Sequence, residues 1–103
     1  MARGKSLLSD ESDPRCLICG TTYNLHVHHV YGGAGRRNVS DREGCWCYLC
    51  GPHHNMSNLG VHFDKQADTW LKRRCQAAWE EREGIDDPEH HEFIRLMGAN
   101  YLD

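Results

Sequence analysis

The chain has 103 residues and a formal net charge of −3 at pH 7, with 26% of its residues charged. A chain of this length forms one small domain with a marginal core, which metals or disulfides often stabilise. The net negative charge argues against a protein that binds nucleic acid by positive charge alone. The charge is uneven, since residues 14–62 carry four basic and two acidic side chains, whereas residues 63–103 carry six basic and ten acidic ones.

The first residues do not have the pattern of a secretory signal peptide. Its first ten residues, MARGKSLLSD, contain no long apolar stretch, so the sequence predicts no secretory signal peptide. No segment approaches the length of a membrane span. We therefore expect a cytoplasmic protein without a membrane partner, in a compartment that keeps thiols reduced. Six cysteines near clustered histidines then indicate metal binding rather than disulfides.

The N-terminal half predicts two short strands. Residues 1–13 are polar and show no periodicity, so we predict a flexible N-terminal segment before a single domain over residues 14–103. Residues 25–28 alternate between apolar and polar side chains, which favours a strand. Residues 32–38 are rich in glycine and are predicted to form a loop, and residues 45–49 are the second strand candidate.

The C-terminal half predicts helices. A turn at Gly51-Pro52 leads into a short helix over residues 53–56. Asp64 can cap a helix over residues 64–83, and Gly84 can end it. The apolar face of this helix is predicted to contain Ala67, Trp70, Leu71, Cys75, Ala78 and Trp79. A last helix is predicted over residues 88–97, with Pro88 at its first position and Phe93, Ile94 and Met97 in the core. The predicted fold class is α+β.

Two ligand pairs with the same spacing predict a structural zinc site. Cys16 and Cys19 form one pair, and Cys50 and His53 form the other. Tetrahedral Zn²⁺ takes four such ligands and would join two chain segments about thirty residues apart.

Two further cysteines leave the fourth ligand open. Cys45 or Cys47 could replace His53, because both lie close to Cys50 in the sequence. On a strand they would share one face, and we expect both to be core thiols. Cys75, on the apolar helix face, is also expected in the core.

The histidines predict a second site. At the end of a strand, His28 and His29 can both approach one site, as a metal ligand beside a general base. Adjacent helical residues project about 100° apart, so His54 faces away from the zinc that His53 binds. His62 or Asn58 would complete this site, and imidazole is the better ligand for a transition metal. A site made of histidines fits an open catalytic site better than a second structural zinc site, which is the alternative.

The remaining histidines are not expected to be metal ligands. His26 shares a strand face with His28 and is expected at the surface or as a neighbour of the ligands. His90 and His91 lie in the acidic C-terminal part and are expected to be solvated.

A known family combines these motifs, which in chain order are Cys16-x-x-Cys19, His28-His29-Val30-x-Gly32-Gly33, Tyr48-Leu49-Cys50-x-x-His53-His54 and His62. The pattern resembles the HNH (ββα-metal) nucleases in their zinc-stabilised form, particularly small HNH-like proteins of phages and prophages. The resemblance extends from about Arg15 to Glu83. It implies a treble-clef-like ββα-metal core over residues 15–62, covered by the C-terminal helices.

The resemblance also implies roles for single residues. His28 and His54 would bind a catalytic divalent ion, and His29 would be the general base. The middle Asn of the family, which orients the base, corresponds to about Gly44-Cys45 in this chain. Asn38 or Asn58 could substitute for it, or a backbone carbonyl could fix the histidine tautomer.

The implied activity is that of a metal-dependent DNA endonuclease in a bacterium or a phage-infected host. Arg36, Arg37 and Arg42 would contact phosphates. The catalytic ion is expected to be Mn²⁺, Ni²⁺ or Zn²⁺ before Mg²⁺, because imidazole suits transition metals and Mg²⁺ prefers oxygen ligands. The alternative function is a catalytically inactive zinc-binding module that contacts nucleic acid or a protein partner.

Overall fold

The computed structural model describes residues 3–32, 35–54, 60 and 64–102. These residues form a small α+β fold with one two-stranded antiparallel sheet and four helices. None of these helices is long and apolar enough to cross a membrane. In chain order the elements are β1 (Leu25–His29), α1 (Arg36–Arg42), β2 (Trp46–Cys50), α2 (Gly51–His54), α3 (Lys65–Glu83) and α4 (His91–Met97).

The sheet consists of the two predicted strands, each with boundaries within one residue of the prediction. Leu25 pairs with Cys50 at one end, and His29 pairs with Trp46 at the other. Cys50, at the end of β2, is followed directly by α2. The register therefore places His29 and α2 at opposite ends of the hairpin.

Helix α1 was not predicted, because its residues 36–38 were assigned to a loop. Gly35 precedes the helix with a left-handed φ of 77°, which suits glycine. The buried Ser40 lies on the inner side of α1, and its hydroxyl donates a hydrogen bond to the carbonyl of Cys45. Val39 is the only aliphatic side chain of this seven-residue helix, so the sequence carries too little apolar periodicity to reveal it.

Helix α3 begins and ends as predicted. The carboxylate of Asp64 accepts hydrogen bonds from two backbone N–H groups of the first turn, and Gly84 ends the helix with a φ of 67°. Leu71, Cys75 and Trp79 form a buried row at i, i+4 and i+8. The predicted burial of Trp70 is wrong, because this residue lies beside the row and its side chain is 44% exposed.

Helix α4 begins three residues later than predicted. The carboxylate of Asp87 accepts hydrogen bonds from the N–H groups of Glu89 and His91, and this turn replaces the first helical turn. Phe93 and Met97 are buried as predicted, whereas Ile94 is 37% exposed and its prediction as a core residue is wrong.

His90, at the start of α4, is buried rather than solvated. Its Nδ1 atom lies 2.7 Å from Oε2 of Glu80 on α3, so the prediction of a solvated side chain is wrong. His91 points into solvent, as predicted.

The core has two parts, and α3 contributes to both. Cys45, Cys47 and Cys75 are fully buried, which confirms their prediction as core thiols. The first part contains Val30, Tyr31, Cys45, Cys75, Trp79, Phe93 and Met97. The second contains Cys16, Cys47, Leu49, Cys50 and Leu71.

The N-terminal segment is bound to the sheet from Gly4 to Ser9. The hydroxyl of Ser6 donates to the Trp46 carbonyl at 2.5 Å, and the indole N–H of Trp46 donates to the Gly4 carbonyl at 2.8 Å. The backbone N–H of Tyr48 donates to the Ser9 hydroxyl. The prediction of a flexible segment over residues 1–13 did not include these contacts.

Candidate metal centre and neighbouring histidine cluster

The structure brings the two predicted ligand pairs together. Cys16 and Cys19 lie in the turn before β1, Cys50 ends β2, and His53 lies in α2. One ligand atom from each of these four residues lies within 4.8 Å of all the others. Within the described residues, no other set of three or more histidine, cysteine or acidic ligands is this close.

The distances in this Cys₃His group fit a tetrahedral zinc site. Zn–S bonds of about 2.3 Å and a Zn–N bond of about 2.0–2.1 Å put two ligand sulfurs about 3.8 Å apart, and sulfur and nitrogen about 3.6 Å apart. The Sγ atoms of Cys19 and Cys50 are 3.8 Å apart. Nδ1 of His53 lies 3.2 Å from Sγ of Cys50 and 3.8 Å from Sγ of Cys16. The group could therefore bind a metal ion such as zinc.

Two thiols of the group have shifted pKa values. Burial raises the pKa of Cys16, but the backbone N–H groups of Cys50, Cys19 and Ile18 outweigh this effect and lower the pKa to about 6. Burial raises the pKa of Cys50 to about 11, with further contributions from Cys16 and Cys19. A bound cation would favour both thiolates, so Cys50 would release a proton on binding.

Cys45 and Cys47 are not part of the Cys₃His group. Cys45 lies in the other part of the core, and a hydrogen bond with Cys75 raises its pKa, as does burial. Burial raises the pKa of Cys47 to about 12, which favours the neutral thiol. Of the alternatives left open by the sequence, the structure therefore favours His53 as the fourth ligand.

Three histidines meet beside the Cys₃His group. His26 and His28 share one face of β1, and the ring of His54 lies against both, with centroid distances of 5.1 and 5.2 Å. Nδ1 of His26 is 2.9 Å from Nδ1 of His54. Of the two positions expected for His26, the structure shows the one beside His54, a predicted ligand. His62 and Asn58 lie outside the described residues.

His29 has a carboxylate partner that the sequence analysis did not identify. Nδ1 of His29 lies 2.5 Å from Oδ1 of Asp41, which is on the unpredicted helix α1. Both side chains are partly exposed, at 28% and 23%. A signal was present in the sequence, since Asp41 and Glu43 are the only acidic residues over positions 14–62.

The three predicted DNA-contacting arginines of α1 differ in their surroundings. Arg36 donates a hydrogen bond to the carbonyl of Leu96 at the end of α4, so its guanidinium contacts the protein itself. Arg37 and Arg42 are exposed, and Arg42 lies 3.4 Å from the carboxylate of Glu43. Two of the three are therefore available at the surface.

Models of known protein families, curated proteins and solved structures were compared with this chain, and none matches it. The features that bear on its function are therefore the Cys₃His group, the three histidines and the His29–Asp41 pair.

Proposed function

We propose that this protein is a metal-dependent DNA endonuclease of the HNH type, stabilised by zinc in the Cys₃His group. The observation that carries the proposal is the contact of His29 with Asp41, one residue after His28, whose ring contacts that of His54. A histidine held by a carboxylate at one nitrogen presents its other nitrogen as a proton acceptor. Asp41 would thereby take the orienting role that a middle Asn has in the HNH family.

His29 would act as the general base in phosphodiester hydrolysis. Its Nε2 atom takes a proton from water, while Asp41 holds the proton on Nδ1 and stabilises the imidazolium that forms. The oxygen of this water forms a new bond to phosphorus, and the bond from phosphorus to the leaving 3′ oxygen breaks. The leaving oxygen takes up a proton from solvent. General base catalysis of this kind contributes a factor on the order of 10² to 10⁴.

The catalytic ion would be held by His28 and His54, together with His62. Imidazole ligands favour Mn²⁺, Ni²⁺ or Zn²⁺ over Mg²⁺. When bound, such an ion stabilises negative charge on the phosphate oxygens and on the leaving group. Arg37 and Arg42 would contact DNA phosphates from α1, and the protein would act in the cytoplasm of a bacterium or a phage-infected host.

The second candidate function is a catalytically inactive zinc-binding module that contacts nucleic acid or a protein partner. Two observations favour it. The Cys₃His group is the only close ligand set within residues 3–32, 35–54, 60 and 64–102, and the net charge is −3. A module of this kind would keep the zinc and the fold without cleaving DNA.

Plasmid cleavage in a series of divalent ions separates the two functions. We expect zinc-loaded protein to nick or cut supercoiled plasmid with Mn²⁺ or Ni²⁺, more slowly with Mg²⁺, and not without an added ion. A protein that carries its zinc yet leaves the plasmid intact with every ion would support the inactive module instead.

A further inference from the structure

The basic part of α3 carries an exposed aromatic ring. Trp70 is 44% exposed, although tryptophan is usually well buried. The guanidinium carbon of Arg74 lies 4.9 Å from its ring centroid, so the cation stacks over the ring. Ile18, at the tip of the turn that holds Cys16 and Cys19, is 39% exposed near the same ring.

Trp70 borders two surface grooves, and both are lined mainly by apolar atoms. One groove, of about 460 Å³, is lined by Leu17, Ile18, Ala67 and Trp70 and is apolar. The other, of about 420 Å³, is lined by Lys65, Gln66, Thr69, Trp70 and Arg73. Because Lys65 and Arg73 carry positive charge beside this apolar surface, an occupant that combines an apolar ring with negative charge fits both grooves.

The charge around Trp70 is opposite to that of the whole chain. Residues 65–74 contain four basic side chains and one acidic one, whereas the chain has a net charge of −3. The acidic one, Asp68, is bound to Lys72 at 2.9 Å. Among the described residues, no carboxylate lies within 4.0 Å of the other three cations of this segment, which are Lys65, Arg73 and Arg74.

We propose that this surface of Trp70, Ile18, Lys65, Arg73 and Arg74 binds single-stranded nucleic acid. An unpaired base would stack on Trp70, and the adjacent phosphates would contact the three cations. Bases in a duplex are already stacked on one another, so the surface selects unpaired strands. An apolar protein partner would leave the three cations without counter-charges, which makes it the poorer occupant.

In the proposed nuclease, this surface would determine which class of DNA is cut. This part of the inference rests on the proposed function. Leu71, next to Trp70, packs in one cluster with Cys16 and Cys50. From Cys50 the chain continues directly through α2 to His54. The Cys₃His group therefore connects the surface to the histidine cluster, and DNA with an unpaired segment near the cleaved bond is the expected substrate.

Fluorescence anisotropy with labelled oligonucleotides tests the binding. Zinc-loaded protein carrying His29→Ala, which separates binding from cleavage, is titrated with a single strand and with its duplex. We expect the single strand to bind about tenfold more tightly, and Trp70→Ala to weaken that binding about tenfold. Trp70→Phe should keep most of the affinity. Tyr23→Ala, which removes a ring that is 80% exposed elsewhere, should change nothing.

The salt dependence tests the cations independently of Trp70. Arg73→Ala should reduce the slope of log affinity against log salt by about 0.7 for a single strand. Unchanged single-strand binding in Trp70→Ala, or equal losses for single strand and duplex, would overturn the proposal. So would a dimer that Trp70→Ala dissociates in sedimentation, because the ring would then contact a second copy. A wild-type protein that binds single strands but does not cut DNA would refute the nuclease alone.

Discussion

The Nδ1 atom of His29 and the Oδ1 atom of Asp41 lie 2.5 Å apart, which joins the end of β1 to the last turn of α1. Because a carboxylate only accepts hydrogen bonds when ionised, Asp41 fixes the N–H of the neutral ring at Nδ1. Nε2 is then the basic nitrogen, and the side chain of His29 is 28% exposed to solvent. In the proposed mechanism, Asp41 positions the base without contacting the substrate.

Asp41→Ala should reduce the single-turnover cleavage rate by about tenfold to a hundredfold. Loss of a hydrogen-bond partner that orients a histidine at a metal site has effects of this size. Asp41→Asn keeps an oxygen acceptor for Nδ1–H and should retain more activity than Asp41→Ala. The KM for DNA should change little in both variants. Equal rates in Asp41→Ala and wild type would refute the positioning role.

Cys50→Ser should reduce the bound zinc from about one per chain to well below that, because a serine hydroxyl is a poor zinc ligand. Elemental analysis of the purified protein measures this directly. Cys75→Ala is the matched control, because Cys75 is an equally buried cysteine outside the Cys₃His group. Full zinc in Cys50→Ser would contradict the ligand assignment.

The zinc affinity should depend more steeply on pH below about pH 6, where Cys16 becomes protonated and zinc must displace its proton. Since the pKa of Cys16 is lowered from 9.0, its thiolate stabilises the metal-free fold fully above pH 9.0, and this contribution is lost as the pH falls through about 6.

Competition with a chelator at several pH values measures the zinc affinity. The plot of log affinity against pH should become steeper by about one unit below pH 6, because zinc displaces one further proton there. The variant His53→Cys keeps four ligands and removes the imidazole. If the steepening disappears in His53→Cys, Cys16 is not its cause.

Gln76→Leu should lower the free energy of unfolding by about 1–3 kcal/mol, because it leaves buried polar groups without partners. The amide of the fully buried Gln76 donates to Oδ1 of Asn100 at 2.8 Å and accepts from the N–H of Tyr101 at 2.8 Å. Urea unfolding measures the change. Gln66→Leu, at an exposed position of the same helix, should stay within about 0.5 kcal/mol of wild type. Equal stabilities of the two variants would show that Gln76 does not anchor the C-terminus.

The sequence predicted the elements that carry strong local signals. Alternation predicted β1 within one residue, and Asp64 with Gly84 predicted the two ends of α3. The spacing of the cysteines gave the Cys₃His group, because zinc geometry limits the spacings that can work.

The sequence could not reveal features that depend on tertiary contacts. Asp41 was one of two acidic candidates, but helix α1 has one aliphatic residue, so no local pattern indicated that Asp41 would lie on a helix and face His29. Burial of His90 depends on Glu80, which lies ten positions earlier on α3. Trp70 fits the apolar spacing of α3 but lies beside the buried row of Leu71, Cys75 and Trp79. Which apolar positions of a helix are buried depends on the segments that pack against it.

Single-turnover cleavage of plasmid DNA by wild type, His29→Ala and His91→Ala, each with equal zinc content, tests whether His29 is the base of a nuclease. His91 is the matched control, because its side chain is 70% exposed and its two ring nitrogens lie beside the carboxylates of Asp87 and Glu89. We expect His91→Ala to cut like wild type and His29→Ala to lose a factor on the order of 10² to 10⁴. A His29→Ala protein that cuts as fast as His91→Ala would contradict the account.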